Sequence, residues 1–327
     1  MKPKQLITGL TASTAMLTII LDGHTALGGA RDGISLCVQT VIPSLFPFLV
    51  LSILQTNALA GISPPFLRTL GRFYGIPSGS ESILISGYLG GYPVGAQSVS
   101  SAYRSGTLRK DTAERMLSFC SNAGPAFLFG MVSSAFPDLR FAWLLWGIHV
   151  LSSFLVAVSI SGQDRQTIHI YSSSDLSLPE ALRQALMTMA VICGWVILFR
   201  IILAFLQLWI LWHFPKEYQA AIAGFLELSN GCCELPIIPS LPLRFVVCSC
   251  MLAFGGICVF MQTLSVTQGL SLRFYVAGKL LQTIYSFLLS VGIAYQVTYF
   301  AFPVLLLIVL VLRKVQKKSS IHTAVGV

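Results

Sequence analysis

Residues 78–100 read SGSESILISGYLGGYPVGAQSVS, a stretch that no single membrane-spanning helix can accommodate. Its apolar part is short, whereas an α-helix needs roughly 20 apolar residues to cross a bilayer core of about 30 Å. Four glycines and one proline also fall between Gly87 and Gly95. We therefore predict a re-entrant hairpin here, whose irregular backbone must be buried in protein or line a water-filled cavity.

The composition around this stretch is that of a membrane protein. Among the 327 residues, 55% are hydrophobic and only 10% are charged, and the mean hydropathy is +0.78. Soluble domains carry about 25% charged residues, so a soluble globular enzyme, a disordered chain and a disulfide-rich secreted domain are excluded. Further broken apolar segments lie at 119–132 and 220–235. The predicted fold is an all-α, polytopic membrane protein with broken, re-entrant helices.

The basic residues predict the orientation of the chain. Its net charge of +9 arises from 21 Lys and Arg against 12 Asp and Glu. Lys2 and Lys4 precede the first apolar block, and four basic residues lie within 313–318. Because cytoplasmic segments of membrane proteins are enriched in Lys and Arg, we expect both termini to be cytoplasmic. The basic residues form no aromatic-interleaved stripe, so the expected partner is the lipid bilayer of the cell membrane and not nucleic acid.

Composition divides the chain into five regions. They are an N-terminal signal-anchor helix with a polar loop (1–32), a first half (33–160), a polar linker (161–185), a second half (186–312) and a basic cytoplasmic tail (313–327). Within the second half, residues 280–312 would form a helix of about 50 Å. That length exceeds the bilayer, so we expect two crossings or a sharp bend near Gly292 to Gln296.

The two halves contain matching words, which favour an internal, inverted repeat. Residues 90–100 (GGYPVGAQSVS) and 255–265 (GGICVFMQTLS) share Gly-Gly, a Gln six residues after the second glycine, and a Ser three residues later. Residues 120–124 (CSNAG) and 228–232 (LSNGC) share Ser-Asn followed closely by Gly. The order of the two words differs between the halves. Paired interruptions of this kind indicate a transporter-like binding site at the repeat interface.

The words GYLGGYPVGAQ, SFCSNAGPAFLFG, GFLELSNG and FGGICVFMQ, together with IPSLFPF at 42–48, resemble the sporulation integral membrane protein family of endospore-forming Firmicutes. The resemblance covers most of residues 30–290. That family belongs to a larger group with nucleoside-recognition, or Gate, domains, which are similar to the re-entrant hairpin units of concentrative nucleoside transporters. The resemblance thus implies two Gate-like halves, 33–160 and 186–312.

The resemblance also implies a plasma-membrane protein needed for spore maturation, at the cortex stage. Two functions follow as hypotheses. In the first, the protein is a transporter-like binder of a small polar solute such as a nucleoside, with coupling to Na⁺ or H⁺ left open. In the second, it is a non-transporting scaffold or assembly factor for cortex formation, which binds other sporulation membrane proteins through the charged segment 103–116.

Polar residues in the apolar segments are the candidate ligand-binding residues. Arg200 lies near the middle of an apolar block, where an arginine costs roughly 2.5–3.5 kcal/mol and therefore needs a cavity or a partner. Glu227 is its candidate partner, either in a structural ion pair or in contact with a solute or ion. The complete set of candidates is Asn122, Asn230, Gln97, Gln262, Glu227 and Arg200. The alternative role for the two asparagines is to satisfy the broken backbone, since an amide both donates and accepts hydrogen bonds.

Glycines and prolines mark the predicted backbone breaks and hairpins. These residues are Gly90, Gly91, Pro93, Gly95, Gly124, Pro125, Gly231, Gly255 and Gly256. Catalytic spacings such as HExxH, GxSxG and Walker A are absent, so no enzyme activity is expected. The eight cysteines lack the spacing of a metal site, and no metal or other cofactor is predicted. His149 stands alone in an apolar segment and is interpreted as a core residue.

Overall fold

A computed structural model describes residues 3–59, 64–160 and 176–325, with side chains described for 5–59, 64–160 and 176–314. The regular elements of these residues are helices, and no β-strand is found among them. The helices that precede residue 161 are α1 (Pro3–Leu21), α2 (Gly23–Leu36), α3 (Ile42–Ala58), α4 (Pro65–Tyr74), α5 (Glu81–Leu89), α6 (Val94–Arg104), α7 (Lys110–Cys120), α8 (Pro125–Gly130) and α9 (Leu139–Ile160).

The helices that follow residue 175 are α10 (Leu178–Trp209), α11 (Lys216–Leu226), α12 (Leu228–Glu234), α13 (Leu241–Phe254), α14 (Gly256–Val266), α15 (Arg273–Ala294) and α16 (Thr298–Val325). Short 3₁₀ turns occupy Val132–Ala135, Leu211–His213 and Leu235–Ile237. A π-helical segment, Cys37–Val41, joins α2 to α3 immediately before the prolines of α3.

Five helical segments of the described residues are long and apolar enough to cross a membrane. They are Gly23–Ala58, Leu139–Ile160, Leu178–Trp209, Leu241–Val266 and Arg273–Ala294. Many large apolar side chains on these helices and on α1 and α16 are exposed, as lipid contact requires. The all-α, polytopic class predicted from composition is therefore confirmed.

A helix occupies part of the N-terminal segment for which a polar loop was expected. The expected polar loop that ends at residue 32 is helical from Gly23, and Asp22 caps α2 by accepting a hydrogen bond from the backbone N–H of Thr25 at 3.0 Å. That bond holds the pKa of the Asp22 carboxyl below its ordinary value. An N-terminal side-chain cap lets a helix begin within a polar stretch, which is why polarity alone is a poor sign of a loop here.

The polar linker and the tail fall partly outside the described residues. Residues 161–175 of the predicted linker are not described. Helix α10 begins at Leu178, so the last residues of the predicted linker, 178–185, are helical. The tail continues α16 as far as Val325. The long apolar run 280–312 is interrupted where a bend was expected, because α15 ends at Ala294 and α16 begins at Thr298.

Four helix interruptions organise the interior. They lie between α5 and α6, between α7 and α8, at Glu227 between α11 and α12, and at Gly255 between α13 and α14. Gly90, Gly91 and Pro93 separate α5 from α6, whereas Gly95 lies inside α6 and Gly231 inside α12. Gly124 precedes α8, Pro125 is its first residue, and Gly255 and Gly256 have φ of +84° and +83°.

The helices that flank an interruption can lie against each other. Ser86 of α5 donates a hydrogen bond to Ser98 of α6 at 3.0 Å, across the break at residues 90–93. Gly224 of α11 and Gly231 of α12 are also in contact across the break at Glu227. At Gly91, with φ of +73°, an added Cβ would lie 2.9 Å from the backbone N of Gly124. Two interruptions of the first half therefore touch through bare backbone.

Candidate functional site

One cavity of the described residues has a volume of about 480 Å³ and a mixed-charge lining. It lies between α10, α11 and the segment that begins with α12. The lining comprises Asp32, Arg200, Leu203, Ala204, Gln207, Leu211, Lys216, Gln219, Ala223, Asn230, Glu234 and Ile237. Small-molecule sites commonly occupy 300–1,000 Å³, so the space is sufficient for a small polar solute.

Arg200, Asn230, Glu234 and Asp32 form a connected group in this cavity, called the Arg200 cluster below. The Arg200 guanidinium donates to Asn230 Oδ1 and lies 3.9 Å from Glu234 Oε1 and 3.5 Å from Asp32 Oδ2. Asn230 Nδ2 donates to Glu234 Oε1 at 3.0 Å. The Arg200 side chain retains 27% of its exposure. The cluster is therefore charge-compensated and still open on one side.

Glu227 does not bind Arg200 as predicted but caps a helix. Its two carboxylate oxygens accept hydrogen bonds from the backbone N–H groups of Ser229, at 3.0 Å, and Asn230, at 2.6 Å. The extended backbone at Glu227 directs the carboxylate toward the N-terminus of α12, where negative charge is favourable. Its link to Arg200 therefore runs through Asn230.

A second, much smaller cavity of about 40 Å³ lies where the interruptions of the two halves meet. It is lined by Gly91 and Gly124 from the first half, by Glu227 and Gln262 from the second, and by Tyr92 among others. Gln262 is buried and donates to Cys258 Sγ at 3.4 Å. A volume of this size holds water or an ion but not a nucleoside.

The remaining candidates, Asn122 and Gln97, line neither the 480 Å³ nor the 40 Å³ cavity. Asn122 is completely buried, donates to the carbonyl of Phe119 at 2.6 Å, and so satisfies the backbone at the end of α7. Gln97 accepts a hydrogen bond from Thr188 Oγ1 of α10 at 3.3 Å. The six candidates therefore do not share one cavity: Arg200 and Asn230 line the large one, and Glu227 and Gln262 the small one.

A buried lysine that the sequence analysis did not single out lies at the break between α7 and α8. Lys279 is only 2% exposed, and its ammonium donates to Tyr92 Oη at 2.9 Å, to Gln282 Oε1 at 2.9 Å and to the carbonyl of Ser121. Gln282 Nε2 in turn donates to Asn122 Oδ1 at 3.2 Å. These five residues are called the Lys279 cluster below. An ionisable residue beside an apolar run was the signal that could have revealed it.

His149 has a structural partner in the same region. Its Nε2 atom accepts a hydrogen bond from the backbone N–H of Ala123 at 2.9 Å, within the α7–α8 break. Tyr88, another residue of the broken segments, donates to Ser153 Oγ at 2.9 Å. No group of three or more His, Cys, Asp or Glu side chains in the described part of the chain is arranged to hold a metal ion.

The helices and their buried polar interruptions define a multi-pass, all-helical membrane protein. The chain is similar to the sporulation integral membrane protein YlbJ of Bacillus subtilis (strain 168), with 23% identity over 321 residues that cover 82% of this chain and 78% of the relative. This similarity supports the resemblance to the sporulation integral membrane protein family. No protein-family model and no solved structure matches the chain.

Proposed function

We propose that this protein acts in the membrane during spore formation and binds a small polar solute in the 480 Å³ cavity. The solute-binding part of this proposal rests on the Arg200 cluster. The Arg200 guanidinium belongs to an apolar helix and lines an open cavity. Intramembrane charges are costly and commonly mark solute or ion pathways. The role in spore formation rests on the similarity to a sporulation integral membrane protein.

The charge balance of the cavity favours a zwitterionic or uncharged polar solute. Arg200 and Lys216 contribute positive charge, and Asp32 and Glu234 contribute negative charge. The described lining contains no aromatic ring on which a nucleobase could stack. Tyr92 offers a ring only at the 40 Å³ cavity, which is too small for a base. A nucleoside is therefore retained as one member of the test panel and not as the favoured solute.

The proposed arrangement is that of a transporter, in which each helix interruption belongs either to a re-entrant hairpin or to a discontinuous spanning helix. In this proposal α5–α6 and α11–α12 are re-entrant hairpins, and α7–α8 and α13–α14 are discontinuous spanning helices. Each Gate-like half then consists of a hairpin followed by a broken helix. The break at Gly91 in the first half corresponds to the break at Glu227 in the second. The matching Gly-Gly words therefore lie at non-equivalent breaks. The proposal brings breaks from both halves together at the 40 Å³ cavity, and it assigns both termini to the cytoplasm because the basic residues lie near them.

The test is a thermal-shift measurement on the detergent-purified protein with zwitterionic solutes, polyols, nucleosides and cell-wall precursors. A solute at 100 times its dissociation constant raises the free energy of unfolding by about 2.7 kcal/mol. We expect Arg200→Gln to weaken binding about 10- to 100-fold, because a hydrogen bond to a charged group contributes about 1.5–3 kcal/mol. The control, Arg140→Gln, removes an exposed arginine that pairs with Asp138 outside the cavity.

The scaffold hypothesis gives the opposite pattern. If no solute shifts the melting temperature, and charge reversal at Arg109 and Lys110 impairs spore maturation more than Arg200→Gln does, the solute-binding proposal is contradicted. Arg109 and Lys110 are exposed and pair with Asp111 and Glu114 on α7. Their reversal therefore tests a protein contact without disturbing the cavity.

A further inference from the structure

The ammonium group of Lys279 has the surroundings of a bound monovalent cation. Three oxygen atoms surround it: a phenol oxygen from Tyr92, an amide oxygen from Gln282 and the backbone carbonyl of Ser121. A lysine ammonium has three N–H donors, so every donor has an acceptor. The Tyr92 ring adds a cation–π contact, with the nitrogen 4.8 Å from the ring centroid.

The site has no negatively charged residue. Among the described residues, no Asp or Glu oxygen lies within 4.0 Å of the Lys279 nitrogen, although the side chain is only 2% exposed. Lysine is almost never fully buried unless it is paired. Here neutral oxygen dipoles replace the counter-ion, as they do around monovalent cations bound at unwound helices.

The end of α7 supplies one of these dipoles. Helix α7 ends at Cys120, and Ser121 has an extended backbone. The last carbonyl groups of a helix lack intrahelical partners and carry partial negative charge. The Ser121 carbonyl directs its oxygen at the ammonium. The position of the Lys279 ammonium is therefore favourable for any small cation, whether it is a lysine ammonium or a free ion.

Close packing of α15 on α7 delivers the lysine to this place. At Gly278, the residue before Lys279, an added Cβ would lie 2.6 Å from Ser118 Cβ of α7. Only glycine permits this approach, because any side chain would collide with the α7 backbone. Tyr92 also donates to the carbonyl of Leu252 at 3.2 Å, which links the α5–α6 break to α13.

We propose that the ammonium of Lys279 is a tethered cation that permanently occupies a monovalent-cation site at the α7–α8 interruption. It takes the position that a free Na⁺ or K⁺ would hold among Tyr92, Ser121 and Gln282. The chain therefore needs no free cation at this interruption to keep the hairpin turn, the end of α7 and α15 together. The inference concerns stability and does not depend on whether the 480 Å³ cavity binds a solute.

The experiment measures the melting temperature of the full-length, detergent-purified protein in NaCl, KCl, methylammonium chloride and choline chloride at equal ionic strength. For the wild-type protein we expect the same melting temperature in all four salts. For Lys279→Ala, which leaves the oxygens in place, we expect a lower value that rises saturably by about 2 °C or more with a small cation but not with choline. Lys279→Met fills the space with an apolar chain and should lose stability without any response to cations.

Two controls keep the outcomes distinct. Lys314→Ala removes an exposed lysine of α16 that lines neither cavity, and it should behave as the wild-type protein does in all four salts. The Lys279→Ala variant could unfold in choline chloride. In that case, recovery of folded protein after purification in methylammonium chloride, but not in choline chloride, also supports the proposal. A Na⁺-specific rise in the wild-type protein, or no cation-specific effect on Lys279→Ala in melting or in recovery, overturns it. Neither readout involves the solute panel, so its failure leaves the solute-binding proposal unaffected.

Discussion

The Arg200 cluster and the Lys279 cluster both accommodate a positive charge within an apolar region, but they do so with different partners. Each contains a basic side chain from a long apolar helix that lies beside an interrupted helix. Arg200 is 27% exposed on its side chain and has two carboxylates within 4.0 Å. Lys279 is sealed and has only neutral oxygen acceptors. The first arrangement leaves donors accessible to a solute, and the second leaves none.

The difference shows why burial and charge must be considered together in a membrane protein. An exposed charge pair contributes little free energy to folding, about 0–1 kcal/mol, so its residues can exchange partners with a solute. A fully buried cation makes its acceptors essential, because leaving a buried donor without an acceptor costs about 1–3 kcal/mol, and more when the donor is charged. We therefore expect substitutions in the Lys279 cluster to act on folding and substitutions in the Arg200 cluster to act on binding.

The largest expected effect comes from Gly278→Val, which separates α15 from α7 around the Lys279 cluster. Its Cβ would meet backbone atoms of Ser118 at 2.8 Å or less, so we expect a loss of more than about 3 kcal/mol in the free energy of unfolding. Fluorescence-detected gel filtration and thermal melting measure it. Gly147→Val on α9, where an added Cβ has no neighbour within 4 Å, should fold normally. Equal behaviour of the two variants would contradict the close contact.

A smaller effect is expected from Gln282→Leu. The variant removes one of the three acceptors of Lys279 and the donor to Asn122 Oδ1, so we expect a loss of about 2–3 kcal/mol. Gln207→Leu is the matched control, because Gln207 is exposed and bonds only Gln219 among the described residues; its loss should stay within about 0.5 kcal/mol. Denaturant or thermal unfolding measures both. Similar losses in the two variants would contradict the expectation that the Lys279 cluster contributes more to the free energy of unfolding than the residues of the open cavity do.

The class of the fold was predictable from the sequence, and so were several interruptions. Composition and the length of the apolar runs predict spanning helices, and Gly90, Gly91 and Pro93 lie between α5 and α6. Gly255 likewise marks the break between α13 and α14. These signals are local, because glycine and proline act on the backbone where they stand.

The contents of the two clusters were not predictable, because their contacts join distant parts of the chain. The hydrogen bond between Gln282 and Asn122 joins residues that are 160 positions apart, and no local spacing in the sequence indicates that they meet. Glu227 could be recognised as a partner for a nearby group, but whether it meets Arg200 or caps α12 depends on the backbone conformation at that residue. Lys279 directly precedes the apolar run that begins at Leu280, so a search for charged residues inside apolar runs does not find it.

The smallest expected effect comes from Asp32→Asn at the rim of the Arg200 cluster. The two charges are 3.5 Å apart, and the Asp32 side chain is 62% exposed, so the pair should contribute no more than about 0.5 kcal/mol. Arg200 keeps Asn230 and Glu234 as partners in the variant. High salt should remove the small difference from the wild-type protein, because exposed charges are screened. A loss above about 1 kcal/mol that persists in high salt would mean that the Arg200 cluster is sealed like the Lys279 cluster, and the contrast between open and closed charges would fail.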